Sequence, residues 1–225
     1  MLSKIIKKVI QLIKENQKRR AEKKRRQHEL YSYGINNPGA YQERIIYYNL
    51  LDCISDKYIL SNVYVPYRGN TSEIDVVLLH KSGIYVIESK NYSGWIYGRA
   101  DQMYWTQVLN RNVKNKFYNP IKQNQTHIKA LAEYLKIDAS KVKSIIIFSD
   151  KCVLKAVPKS TKSVKIIQIR QIMSIIKEIR KSGDCIKADE LANMYSRLLP
   201  LTNVSEQEKQ RHIDAIKSKP YLVDS

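Results

Sequence analysis

Two short β-branched runs, Glu73-Ile74-Asp75-Val76-Val77-Leu78-Leu79 and Ile84-Tyr85-Val86-Ile87-Glu88-Ser89-Lys90, are separated only by His80-Lys81-Ser82-Gly83. That pattern predicts a β-hairpin. Other short apolar segments predict strands over Lys57 to Val65, one or two between residues 95 and 108, Val142 to Ser149 and Val164 to Ile167; together they make a sheet of about five to seven strands. Helical spacing follows the turn signal Asn36-Asn37-Pro38, through Ile45, Ile46, Leu50 and Leu51. It returns after Asn119-Pro120, where Asn119 suits the cap and Pro120 the first helical position, and continues through Ile128, Leu131 and Leu135. Gln168 to Lys181, Ala188 to Leu199 and Ser205 to Ser218 also read as helices, stopped by Gly183 and Pro200. The last is polar and predicted to attach loosely.

Strand alternation turns the hairpin into a candidate site. With a two-residue turn at Lys81-Ser82, or a four-residue loop over residues 80 to 83, Asp75 lies directly opposite Glu88. Lys90 then shares a face with Glu88, and Ser89 points to the other. A three-residue loop with Gly83 in a bulge shifts the register by one and sends Asp75 to the opposite face. Hard cations such as Mg²⁺ and Mn²⁺ take about six oxygen ligands, so Asp75 and Glu88 suit them, with water and substrate phosphate completing the shell. Lys90 beside them either orients a nucleophilic water, offsets charge growing on phosphorane oxygens, or acts as a base if burial depresses its pKa. The plain alternative is an exposed ion pair at a sheet edge, since Glu-x-Lys also occurs at Glu22-Lys23-Lys24 inside a solvated charge run.

Two flanking helices add to this. Glu43 falls in the first turns of the helix after Pro38, and Gln123 lies one turn into the helix after Asn119, within reach of a metal-bound water or a phosphate. His127 follows Gln123 by four residues on the same face; helix surface and site are equally open to it. The series Gly39 to Glu43, Glu73-Ile74-Asp75, Gly83-Ile84-x-Val86-Ile87-Glu88-x-Lys90-Asn91-x-x-Gly94-x-Ile96-x-Gly98, Trp105 and Asn119-Pro120-x-x-Gln123-Asn124 resembles the nuclease-related domain (NERD) family, over about residues 39 to 150. The family is related to the PD-(D/E)xK nucleases, including restriction endonucleases. The resemblance implies an α/β, restriction-endonuclease-like fold, a mixed β-sheet flanked by helices, with a divalent-metal site. It implies Asp75 and Glu88 as Mg²⁺ or Mn²⁺ ligands, with Glu43 the helix-borne acid beside the metal, Lys90 the catalytic lysine and Gln123 a supporting polar group. Ser89 stands where the family usually has Thr.

Charge and composition bound the partners. The 225-residue chain is 43% hydrophobic, enough for a core, and carries a formal net charge of +19. Part of the lysine excess tracks an Ile-, Lys-, Asn- and Tyr-rich composition that AT-rich codons produce. Residues 1 to 30 hold 11 Lys/Arg against 3 Asp/Glu, leaving 29 against 18 on the rest, so the body is basic without its tail. Arg99, Arg111, Lys114, Lys116, Lys122 and Lys129 face only Asp101 and are interleaved with Tyr97, Tyr104, Trp105, Phe117 and Tyr118. They predict a phosphate-tracking, base-stacking rim for nucleic acid, DNA before RNA; the alternative is a solvated loop with its aromatics in the core, where Trp105 fits best. Three widely spaced cysteines, Cys53, Cys152 and Cys185, suggest neither a disulfide framework nor a zinc knuckle and fit a reducing cytoplasm.

The organisation expected is a basic amphipathic extension over 1–30, a nuclease-like core over 31–155, and a last strand with C-terminal helices over 156–225. Apolar positions 2, 5, 6, 9 and 13 with lysines between them make the extension amphipathic. Its interrupting charges exclude a transmembrane span, and no apolar core with a cleavage site marks a secretory signal. It reads as an in-plane helix on an anionic membrane, at the inner face, as an arm on nucleic acid, or as a helix docked on a partner or on this core. The function expected is metal-dependent phosphodiester hydrolysis, by a homodimer if two strands are cut. The rival is a non-catalytic nucleic-acid-binding or membrane-peripheral adaptor module that keeps the fold.

Overall fold

The computed structural model describes residues 38–110 and 113–217, with residues 11, 14, 15, 17, 18, 21, 22 and 24–26 of an N-terminal helical stretch. Arg111 and most of the 1–30 extension lie outside the described residues. Of that extension, Arg26 touches the body, with Nη1 2.8 Å from the Asp52 carboxylate and its guanidinium over the Tyr48 ring.

Helix α1 (Pro38–Cys53) leads into β1 (Lys57–Tyr67), β2 (Asn70–His80) and β3 (Gly83–Lys90). Both hairpins have two-residue turns: Tyr67 pairs with Asn70 around Arg68-Gly69, and His80 with Gly83 around Lys81-Ser82. Arg68 and Gly69 both have positive φ, the combination that matches the twist of paired strands. Strands β4 (Gly94–Tyr97), β5 (Tyr104–Asn110) and β6 (Val113–Tyr118) follow, then α2 (Pro120–Leu135), β7 (Val142–Phe148), β8 (Cys152–Ala156) and β9 (Val164–Gln168). The chain ends in α3 (Ile172–Lys181), α4 (Ala188–Leu198) and α5 (Glu206–Lys217).

The strands form two mixed sheets rather than the one expected. The first has order β1-β2-β3-β7-β9, antiparallel through β3 and parallel beyond it; the second has order β6-β5-β4-β8, with only β8 parallel to its neighbour. Strands β6 and β8 are absent from the sequence expectation because β6 is polar, Val113-Lys-Asn-Lys-Phe-Tyr118, and β8 short. With helices flanking these sheets the fold is mixed α/β and restriction-endonuclease-like.

Period-2 alternation sorts the first sheet onto two helical layers. Val77, Leu79, Ile84 and Val86 pack under Leu131 and Leu135 of α2 and Leu191 and Leu198 of α4. Val76, Leu78, Tyr85 and Ile87 pack against Ile46 and Leu50 of α1 and Ile175, Ile176 and Ile179 of α3. Buried on both sides, β2 and β3 read as nearly continuous apolar runs. The second sheet lays one face, Ile96, Trp105, Phe117 and Cys152, over Ile146 and Phe148 of β7 and Ile166 of β9. Trp105 is fully buried, its ring parallel to that of Phe148 with centroids 6.1 Å apart, so it belongs to the core. Gly98 is required here: a Cβ would sit 2.2 Å from the Trp105 ring. Among the described residues no helix is long and apolar enough to cross a membrane.

Candidate active site

The β2–β3 ladder runs from His80↔Gly83 to Val76↔Ile87 without a slip, so the next opposed positions are Asp75 and Glu88. There the strands stop exchanging backbone bonds. The Asp75 carboxylate instead accepts the Ser89 N–H at 2.7 Å. On the β1 side the pairing also skips Asp75, opposite Asn62, whose φ of 52° kinks the strand. A break in pairing thus frees one strand end to present charged groups.

Glu88 is 2% exposed, on the face covered by α2. Its Oε1 lies 2.8 Å from Lys90 Nζ, and Lys90 also donates to Gln123 Oε1 at 2.8 Å. The exposed sheet-edge pair is therefore not what forms. Helix α2 is anchored by Asn119, whose Oδ1 accepts the Ile121 N–H and whose amide donates to the carbonyls of Arg99, Ala100 and Gln102. One turn on, Asn124 donates to Val86 O and Ser144 Oγ, which fixes the helix on the sheet and aims Gln123 at Lys90.

His127, left open by its sequence position, is buried in the site. Its Nδ1 lies 2.7 Å from Ser72 Oγ and its Nε2 3.2 Å from Glu88 Oε2. The latter pair lies at ion-pair distance, and Glu88 Oε2, His127 Nε2 and Asn124 Oδ1 are buried without a well-aligned hydrogen bond. Such atoms mark places where water or an ion completes a site. The spacing from Gln123 was the available signal for His127. Ser72 carried none.

Glu43 lies on α1, which packs on the other side of the sheet, and its charge is felt at the site. Burial, then the charges of Glu73 and Glu88, push its carboxyl up to about 7. Burial and the charges of Glu88 and Glu43 likewise raise Asp75 well above the carboxylate range, against the pull of Lys90 and the Ser89 N–H. Glu88 goes the other way: burial alone would raise it, but Lys90 and His127 hold it at about 2. The pair keeps Lys90 protonated, since Glu88 and then Asp75 outweigh the burial that disfavours its charge. The acids are thus short of positive charge: one lysine satisfies Glu88 and leaves Asp75 and Glu43 to repel it.

A cavity of about 580 Å³ opens onto this cluster. Asp75, Lys90, Gln123 and His127 line it, with Tyr67, Arg68, Tyr92 and Tyr118 among the other walls. Of the predicted basic rim only Lys116 lines it; Lys114 and Lys129 are exposed elsewhere, Lys122 is partly buried, and Arg99 is clamped by Asp101 with Nη2 to Oδ2 at 2.6 Å. Helix α5, expected to attach loosely, supplies a further wall. Its buried His212 sits 2.9 Å from Thr71 Oγ1 and 3.5 Å from Glu73, which accepts the Tyr64 hydroxyl at 2.7 Å.

A cation fits this donor set in one form. Among the described residues no three His, Cys, Asp or Glu side chains are placed to hold a single ion. Two carboxylates with water and phosphate are still an ordinary Mg²⁺ environment.

The profile of the nuclease-related domain family matches residues 38–149, which span α1 to the end of the β7 strand and contain every group of the cluster. An uncharacterised protein of Bacillus anthracis is 32% identical over 164 residues, covering 72% of this chain and 75% of its own. The chain belongs to the nuclease-related domain family. Among solved structures it is similar to a protein of unknown function, AF1548 (12% identity, TM-score 0.32, 78% of this chain and 96% of that one). It is also similar to Pyrococcus furiosus SfsA in complex with Ca²⁺ (16% identity, TM-score 0.24, 73% and 52%).

Proposed function

We propose that this protein is a Mg²⁺- or Mn²⁺-dependent nuclease that hydrolyses phosphodiester bonds, with DNA as its substrate, on a site of the PD-(D/E)xK type. The observation that carries the reading is the buried Glu88–Lys90–Gln123 chain beside two acids, Asp75 and Glu43, whose carboxyls are raised first by burial and then by neighbouring carboxylates. Three clustered acids served by one lysine are costly to a fold unless positive charge is recruited. Asp75 and Glu88 would hold the cation, with Glu43 beside it. When bound, that metal would polarise a phosphoryl oxygen and lower the pKa of a bound water.

The chain's own groups supply the rest. Lys90 is held protonated by Glu88, so its role is to offset charge on the phosphorane oxygens rather than to take a proton. Gln123 fixes the ammonium from the helix side. His127, tied to Ser72, limits how far Glu88 can turn. The burial of Glu88 strengthens its interaction with Lys90.

Incubating the full chain with single-stranded, double-stranded and branched DNA in Mg²⁺, Mn²⁺ or chelator tests this. Metal-dependent cutting that Asp75→Ala and Lys90→Ala abolish is expected. Cutting that survives chelation, or that both variants leave unchanged, overturns the mechanism. Binding without cutting under every metal condition favours the adaptor reading, which draws on Glu88 being already neutralised by Lys90.

A further inference from the structure

The open face of the second sheet carries aromatic and basic side chains and no acid. Side chains alternate across a strand, and the inward set, Ile96, Trp105, Phe117 and Cys152, is buried. The outward set follows from the register. Val153, Trp95, Val108 and Lys114 lie in one row across β8, β4, β5 and β6. Tyr97, Thr106 and Lys116 lie in the next, about 7 Å away, and Tyr104 opposite Tyr118 in a third. The Tyr104 and Tyr118 rings meet edge to face at 6.3 Å. Trp95 is 49% exposed, and Lys155 Nζ lies 4.9 Å from its ring centre. None of the four strands contains an aspartate or glutamate.

We propose that this face is a binding platform for single-stranded nucleic acid, with Trp95, Tyr97, Tyr104 and Tyr118 stacking unpaired bases and Lys114, Lys116 and Lys155 holding phosphates. Aromatic rings beside lysines on an acid-free sheet supply both components that an unpaired strand offers, π-faces and a phosphate chain. In a duplex the base faces are hidden, so the tyrosines and tryptophan gain nothing there. Continuity decides between a polymer and a lipid surface: Lys116 and Tyr118 belong to this face and also line the cavity at Asp75 and Lys90. A strand crossing the platform therefore arrives at the acid cluster. The proposal goes beyond cleavage and holds whether or not those acids cut.

The test uses the full chain in chelator, so that metal-dependent cutting is silent. Labelled oligothymidine and oligouridine of about 16 nucleotides, a duplex of equal length, and vesicles containing phosphatidylserine are titrated by anisotropy or co-sedimentation. Single strands are expected to bind more tightly than duplex, with DNA or RNA identified by the better arm. Trp95→Ala is expected to weaken single-strand binding about tenfold, with an unchanged thermal melt because the ring is exposed. The chain has two tryptophans, and only Trp95 is exposed, so binding quenches a fluorescence that Trp95→Phe removes while affinity is largely kept. The double variant Lys114→Ala/Lys155→Ala lowers the salt slope of single-strand binding by about 1.4. Equal affinity of Trp95→Ala and the parent, preference for duplex, or binding to vesicles alone overturns the platform. Asp75→Asn separates the two readings: it is expected to stop cutting and to keep this binding.

Discussion

The five-stranded sheet is covered on both faces, by helices and, over β7 and β9, by the second sheet, whereas the four-stranded sheet is covered on one face and turns the other to solvent. In the first, the charged groups of the site gather where β2 and β3 stop pairing, and each is held by a partner: Asp75 by the Ser89 N–H, Glu88 by Lys90, Lys90 by Gln123. In the second, polar and aromatic groups stand along a whole face, the Tyr104 and Tyr118 rings against each other and Trp95 under Lys155. The first arrangement is suited to holding a few atoms in place, the second to a ligand that is long, variable and anionic. On the proposed reading, two sheets from neighbouring stretches of one chain divide positioning from capture.

Substitutions can break that contrast. The largest effect is expected at Trp105: Trp105→Ala should cost about 3–5 kcal/mol, against less than about 0.5 kcal/mol for Trp95→Ala, compared by urea denaturation. Equal losses would mean the two faces are not what they are described to be. At the strand end, Lys90→Ala should reduce metal-dependent cutting about 10²–10³-fold in single-turnover assays, while no variant of Lys155 does so at saturating DNA. Gly98→Ala should cost about 1–3 kcal/mol, because its methyl group meets the Trp105 ring and a packed core resists overfilling; a thermal melt reads it.

The smallest effect is a pH dependence. Glu43 titrates near 4.5 unfolded and about 7 folded, so the native state carries the extra proton between those values. Stability therefore falls as pH rises through that window, and the raised Asp75 acts in the same direction. Glu88, at about 2 when folded, adds stability that is complete above its unfolded value and lost only as pH falls toward 2, so it is constant over this range. The melting temperature should drop from pH 5 to pH 8, less so in Glu43→Gln. Mn²⁺ should restore part of it at pH 8, since bound metal replaces the missing positive charge. A flat profile would show that burial and neighbouring charge do not raise the carboxyls of Glu43 and Asp75.

Much of the site was legible because local rules placed it. The two-residue turn at Lys81-Ser82 and strict alternation put Asp75 opposite Glu88 and Lys90 on the same face, and the Asn119-Pro120 start put Gln123 one turn into α2. Less legible were contacts between elements distant in sequence. Ser72 meets His127 across 55 positions and His212 meets Thr71 across 141, and no periodicity within either segment specifies such a meeting. The aromatics of residues 95 to 118 show the same limit. One stretch supplies the buried Trp105 and Phe117 and the outward Trp95, Tyr97, Tyr104 and Tyr118, and composition alone does not sort them.

The sequence by itself determined which residues share a strand face or a helix turn, because those relations follow from backbone periods of about 2.0 and 3.6 residues. It therefore determined the hairpin and narrowed its register to two alternatives, between which the paired His80 and Gly83 decide. Tertiary packing decided the division into two sheets, the burial of Glu88 and His127, and the charge state of each acid. Those properties depend on which helix covers which face, and burial and neighbouring charge act through space between groups that the chain order keeps far apart.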